Sequence, residues 1–171
     1  MASTQTARRS TPPTFRSNAD WAAPPQPESP VPDSEIGATP SDQGLSAMRV
    51  AFRSTGGTAR GDDLARLLED RRLGDFVSLA RLIVSRKLFG FVWRDTVWVP
   101  MFQFELRDLT IRPGPQQVLA ELAAVFDDWS IAAWFARPNA WLDDRKPVDL
   151  LDLDLPAVLN AARADRFIVA G

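Results

Sequence analysis

Apolar residues recur at helical spacing along most of the chain beyond residue 45, and they alternate in only one stretch. Leu64, Leu67 and Leu68 share one face of a predicted helix that Asp62 or Asp63 can cap. Gly74 interrupts that helix and Asp75 caps a second. There Phe76, Leu79, Leu82 and Ile83 fall at i, i+3, i+6 and i+7, one continuous stripe, with Ser78, Arg81, Ser85 and Arg86 on the opposite face. The alternating stretch follows. Phe89, Phe91 and Trp93 alternate with smaller residues, Arg94–Thr96 form the turn, Val97 and Val99 resume the alternation, and Pro100 stops the strand. This predicts a β-hairpin. Upstream, Met48–Phe52 reads as a short strand before a Gly56–Gly57 turn.

The helical period returns after Phe102-Gln-Phe104. Pro113 and Pro115 bracket a helix start, and Val118, Leu119, Leu122, Val125 and Phe126 make its apolar face. Asp127 or Asp128 caps the next helix, which carries Trp129, Ala132, Ala133 and Phe135 and ends before Pro138. A loop covers Asn139–Lys146, and Pro147 suits the first turn of a short helix through Leu151. A last helix runs from about Leu155 to Ala164 with Val158, Leu159 and Ala162 inward, leaving Asp165–Gly171 as a tail. The predicted fold class is mostly α with one small β-hairpin.

Residues 1–45 break every period. Eight of the 14 prolines lie in the first 40 residues among Ser, Thr, Ala and Gln, with Phe15 and Trp21 alone. Such a segment buries too little to offset its ordering entropy, so a disordered tail is expected. Pro24–Pro32 is the stretch most like a proline-rich ligand, and a plain tail is the preferred reading. Charge divides the remainder: residues 45–112 carry 12 basic and 8 acidic side chains, residues 113–171 carry 5 and 9. A basic half followed by an acidic half suggests two different partners.

The chain has no cysteine, histidine or tyrosine. Disulfides and thiol chemistry are excluded, and so is the commonest general base and metal ligand. Gly56–Gly57 lacks the spacing and the Lys-Ser/Thr of a phosphate loop. Arg8 and Arg9 precede no apolar stretch of the kind a secretory signal needs, and no apolar run is long enough to span a bilayer. The carboxylate groups, Asp127–Asp128, Asp143–Asp144 and Asp149 with Asp152 and Asp154, stand beside predicted helix starts, where caps and solvated faces account for them. The expectation is a cytoplasmic binding protein, not an enzyme, with no cofactor, no metal and no membrane partner.

Two blocks are more specific. One runs from Val77 through Phe-Gly-Phe-Val-Trp93 to Trp-Val-Pro-Met-Phe-Gln-Phe104. The other contains Trp129, Trp134-Phe-Ala-Arg-Pro-Asn139, Trp141-Leu142, Pro147, Leu150-Leu151 and Val158 through Ala162. Together, over about 95 residues, they resemble the Xre/MbcA/ParS antitoxin family. The resemblance implies a helix-turn-helix-like part over residues 46–112 and a helical toxin-binding domain over 113–171. It implies a protein that neutralises a cognate toxin, often of the NAD-consuming RES type, and binds its own promoter. Trp129, Trp134, Pro138, Asn139, Leu142, Pro147 and Leu151 occupy the motif positions. Where relatives usually have glycine between Leu142 and Pro147, this chain has Asp143-Asp-Arg-Lys146.

The sites follow from these readings. Trp129 and Trp134 are expected in the scaffold. Trp141, Asp143, Asp144, Arg145, Arg163, Arg166 and Phe167 are the candidates for contact with a toxin. Ser78, Arg81, Ser85, Arg86 and Lys87 would line a recognition helix, with Arg94 on the hairpin touching phosphate. The expected partners are the toxin and promoter DNA, in a homodimer or a hetero-oligomer with the toxin. The alternative is a stand-alone DNA-binding regulator whose C-terminal domain dimerises it.

Overall fold

The computed structural model describes residues 40–171. The expected tail over residues 1–45 lies outside that range except for its last six residues. Those six already contain the start of α1, Asp42–Ala51, so helix is present before residue 46. The strand expected over Met48–Phe52 is therefore helix. Leu45, Met48 and Phe52 recur at intervals of three and four, a helical period of which five residues show too little. Ser41 caps the helix by accepting from the Gly44 amide at 3.0 Å. Gly44 also has a packing role. A Cβ there would lie 3.0 Å from the Trp129 ring, so a larger residue would press on the indole that closes over the first turn.

A strand the sequence reading missed, β1 (Thr58–Arg60), leads directly into α2 (Gly61–Asp70). Arg60 is the N-cap residue of α2, and Asp62 and Asp63 lie in its first turn, where carboxylates suit the helix dipole. Asp75 caps α3 (Phe76–Val84) as expected, accepting from the Ser78 amide and hydroxyl at 2.7 Å each. The hairpin is present as β2 (Phe91–Trp93) and β3 (Thr96–Pro100), joined through Arg94 and Asp95. Both turn residues have positive φ, 44° and 60°, the geometry that matches the twist of the strands. The sheet order is β1-β3-β2, all antiparallel.

The register sets the two faces of the sheet. Phe91 is opposite Trp98 and Val92 opposite Val97. Phe91, Trp93 and Trp98 therefore face one apolar core, while Val99 and Ala59 face another. The smaller core holds Leu64, Leu68 and Leu79 of α2 and α3 against Val99, Met101 and Phe104. The larger core is built on α5 (Asp128–Ala136), which is buried on nearly all sides and capped by Asp127. Phe89, Phe102 and Phe135 meet there with ring centroids 4.7–6.1 Å apart.

Around α5 pack α1, β2 and α6 (Pro147–Leu150), and α4 (Pro113–Leu122) packs on α7 (Leu155–Ala170). Two helix ends differ from expectation. α4 stops at Leu122, so Val125 and Phe126 belong to the connection into α5. α7 runs on to Ala170, so the expected tail is its last turns. The larger core takes residues from both sides of position 113, Phe52 and Phe102 with Val118 and Leu119, and residues 40–171 pack as one unit. The chain is mostly helical with a small antiparallel sheet. Among the described residues no helix is long and apolar enough to cross a membrane.

Gln103 ties the strands to the turn that follows them. It is buried, accepts from the Phe89 amide at 2.9 Å, and donates to the carbonyls of Phe89 at 2.9 Å and Pro100 at 3.1 Å. The side-chain amide thus replaces a neighbouring strand for Phe89, which lies just before β2. This explains the Phe-Gln-Phe block physically: two buried aromatic rings flank one amide that satisfies three backbone groups.

Candidate functional site

Three donors converge on the Asp165 carboxylate. Trp134 Nε1 donates to Oδ2 at 2.7 Å, Asn139 Nδ2 donates to Oδ2 at 2.8 Å, and Trp141 Nε1 donates to Oδ1 at 3.0 Å. The sequence places each donor locally. Trp134 comes from α5, while Asn139 follows the Pro138 break and caps the short 3-10 turn Ala140–Leu142 by accepting from the Trp141 amide at 2.9 Å. Asp165 reaches them because it continues the inward stripe Val158, Ala161, Ala162 of α7.

The result fixes one exposed aromatic. Trp134 is half-buried and stacks edge-on against Phe135 at 5.2 Å, which fits its expected scaffold position, as the burial of Trp129 fits that residue's. Trp141 stays 59 % exposed, although its indole N–H is held. Its ring is thus presented at the surface with its polar atom already satisfied, an arrangement suited to apolar contact. Ile168 follows Asp165 by three residues, so it lies one turn further along α7, and Ile168 and Phe167 are both exposed.

The other residues expected here divide into two sets. Asp143, Asp144 and Arg145 form an exposed loop closed by a backbone bridge between Asn139 and Arg145. Asp143 and Asp144 have φ of 54° and 57°, the left-handed region that glycine enters most easily and aspartate tolerates. Arg163 and Arg166 both grip Glu121 of α4, Arg163 through Nε at 2.9 Å. That pairing brackets α7 against α4, so the two guanidiniums are committed within the fold and less free for a partner than expected. Sequence reasoning missed Asp165, although the inward stripe was legible; ending the helix at Ala164 placed it outside that stripe. Ile168 was missed for the same reason.

The residues expected to meet DNA do not form one helical face. α3 ends at Val84, with Ser85 as its C-cap residue, and Arg86 has φ 55°, so Ser85, Arg86 and Lys87 lie beyond the helix. Ser78 is engaged with Asp75. Arg86 pairs with Asp128, and Arg94 pairs with Asp42 at 2.7 Å while lying over the Trp93 ring. Arg81 and Lys87 are exposed and have no carboxylate partner among the described residues. The acidic groups serve the fold. Asp127 and Asp154 cap α5 and α7, and Asp152 pairs with Arg112. No cluster of three or more carboxylates among the described residues is placed to hold a metal ion. No protein-family model, curated protein or solved structure matches the chain.

Proposed function

We propose that the protein is an antitoxin-like inhibitor that binds a cognate toxin through the surface built by Trp141, the Asp143–Arg145 loop and the last turns of α7. The observation that carries this reading is the Asp165 carboxylate, which joins the Trp141 turn to α7 through hydrogen bonds of 2.7–3.0 Å. It places an exposed indole and the exposed Phe167 and Ile168 on connected, rigid elements. A held aromatic loses little freedom when a partner covers it, which is what makes such residues interface hot spots. Arg163 and Arg166 act chiefly by bracing α7 on α4 in this reading, and Phe167 with Ile168 supplies the contact.

The resemblance to the antitoxin family supplies the partner class, and the acidic excess of residues 113–171 favours a basic surface on it. Binding of promoter DNA is the weaker half of the proposal. Two of the four cations assigned to it are held in ion pairs, and each phosphate contact needs a cation of its own. The test is coexpression of the full chain with the product of the adjacent gene. Co-purification of the two, with relief of any growth arrest the neighbour causes, is the expected result. A neighbour that neither binds nor is neutralised would reject the reading.

A further inference from the structure

We propose that the apolar groove between α2, α3 and the hairpin is the interface of a homodimer. This surface is distinct from the one around Trp141 and does not depend on the function proposed for it. The groove has a volume of about 490 Å³, and its lining includes Phe76, Leu79, Ile83, Val84, Val92 and Val97. Three of these are unusually exposed for large apolar side chains: Val84 by 83 %, Phe76 by 60 % and Val92 by 60 %. α3 thus turns apolar residues outward at both of its ends, on the element expected to face DNA. Contiguous exposed apolar surface of this kind marks an association site.

The charges around the groove select the occupant. Arg60 lines it together with Asp62, Asp95 and Asp128, and Arg86 is paired with Asp128. Three carboxylates repel a nucleic acid, and a rim of both signs matches no partner of a single charge. A second copy meets it when Arg60 of each protomer falls opposite a carboxylate of the other, a pairing that a two-fold axis makes twice.

The sheet edge supplies a register. β2 is an outer strand in the order β1-β3-β2. The two-residue turn makes Trp93 and Thr96 a hydrogen-bonded pair and leaves Val92 and Val97 the open pair, so the Val92 N–H and C=O point out of the edge. Neither has a hydrogen-bond partner among the described residues. A two-fold axis at Val92 sets the two β2 strands antiparallel, with Val92 opposite Val92 and both of its backbone groups satisfied. The same axis brings the two Val92 side chains, each part of the lining of its own groove, side by side.

Sedimentation equilibrium of the full chain tests this across micromolar concentrations. The expected wild-type mass is twice 18.9 kDa. Val84→Lys with Val92→Lys should give a monomer with unchanged circular dichroism, since both side chains are exposed and lysine on a sheet edge blocks strand addition. Val84→Lys alone, at the solvent-facing end of α3, should weaken the dimer at least tenfold. Trp141→Ala should leave it intact. A monomeric wild type would overturn the proposal, as would a dimer that survives the double substitution or one lost with Trp141→Ala.

Discussion

Gln103 and Asp165 each satisfy three polar groups with one side chain, and both are placed by the backbone around them. Gln103→Ala removes the partners of the Phe89 amide and of the Phe89 and Pro100 carbonyls in the interior. An unsatisfied buried group costs about 1–3 kcal/mol, so a loss of roughly 3 kcal/mol or more in urea unfolding is expected. A loss below about 1 kcal/mol would show that these groups find other partners. Asp165→Ala releases two indole N–H groups and one amide at a half-buried position, and a smaller cost of about 1–2 kcal/mol follows. Its signature is optical: the tryptophan emission should shift as the Trp134 and Trp141 indoles lose their acceptor, while Glu121→Ala, which frees Arg163 and Arg166, should leave that emission unchanged.

Among the elements, the caps are the most legible in sequence and the helix ends the least. Asp75, Asp127 and Pro147 were readable because each precedes a clear apolar period and uses a side chain suited to the first turn. The ends of α4 and α7 were misplaced for opposite reasons. Val125 and Phe126 keep the period after hydrogen bonding has left the helix, with both amides bonding back to the Leu122 carbonyl. Asp165 and Arg166 interrupt the apolar pattern although α7 continues, because Asp165 is satisfied by indole and amide donors that no local pattern reveals. β1 was illegible because three residues carry no period of their own; pairing with β3 defines them.

Asp75 gives a pH test at this scale. The Ser78 hydroxyl, followed by the Ser78 amide, holds its carboxyl below the ordinary carboxylate range. A carboxyl lowered in the folded state stabilises it above the unfolded value of about 3.9 and loses that contribution as pH falls through the folded value. The gap in Tm between wild type and Asp75→Asn, which keeps a capping oxygen, should be constant from neutral pH down to about 5 and should narrow below about 4. A gap that does not change with pH would contradict this assignment.

At the scale of the molecule, one sheet separates two cores, and each core has an exposed apolar feature beyond it. On the side of α2 and α3 this is the groove at Val84 and Val92. In the helical C-terminal part Trp141, Phe167 and Ile168 are each exposed. The mostly helical class and the hairpin were legible from periodicity alone. The joining of the two halves through Phe52, Phe89 and Phe102 was not, because a hydrophobic pattern shows which residues turn inward but not which partners they meet.

The affinity of the chain for the product of the adjacent gene tests the central claim most directly, measured by calorimetry for the wild type, for Trp141→Ala and for a chain ending at Asp165. The truncation keeps the carboxylate that holds Trp141 and the Arg163–Glu121 pair, and removes Arg166, Phe167 and Ile168. Each change should weaken binding about 30-fold or more, the effect of losing a hot-spot contact of about 2 kcal/mol. Binding by both variants at wild-type affinity would contradict the account.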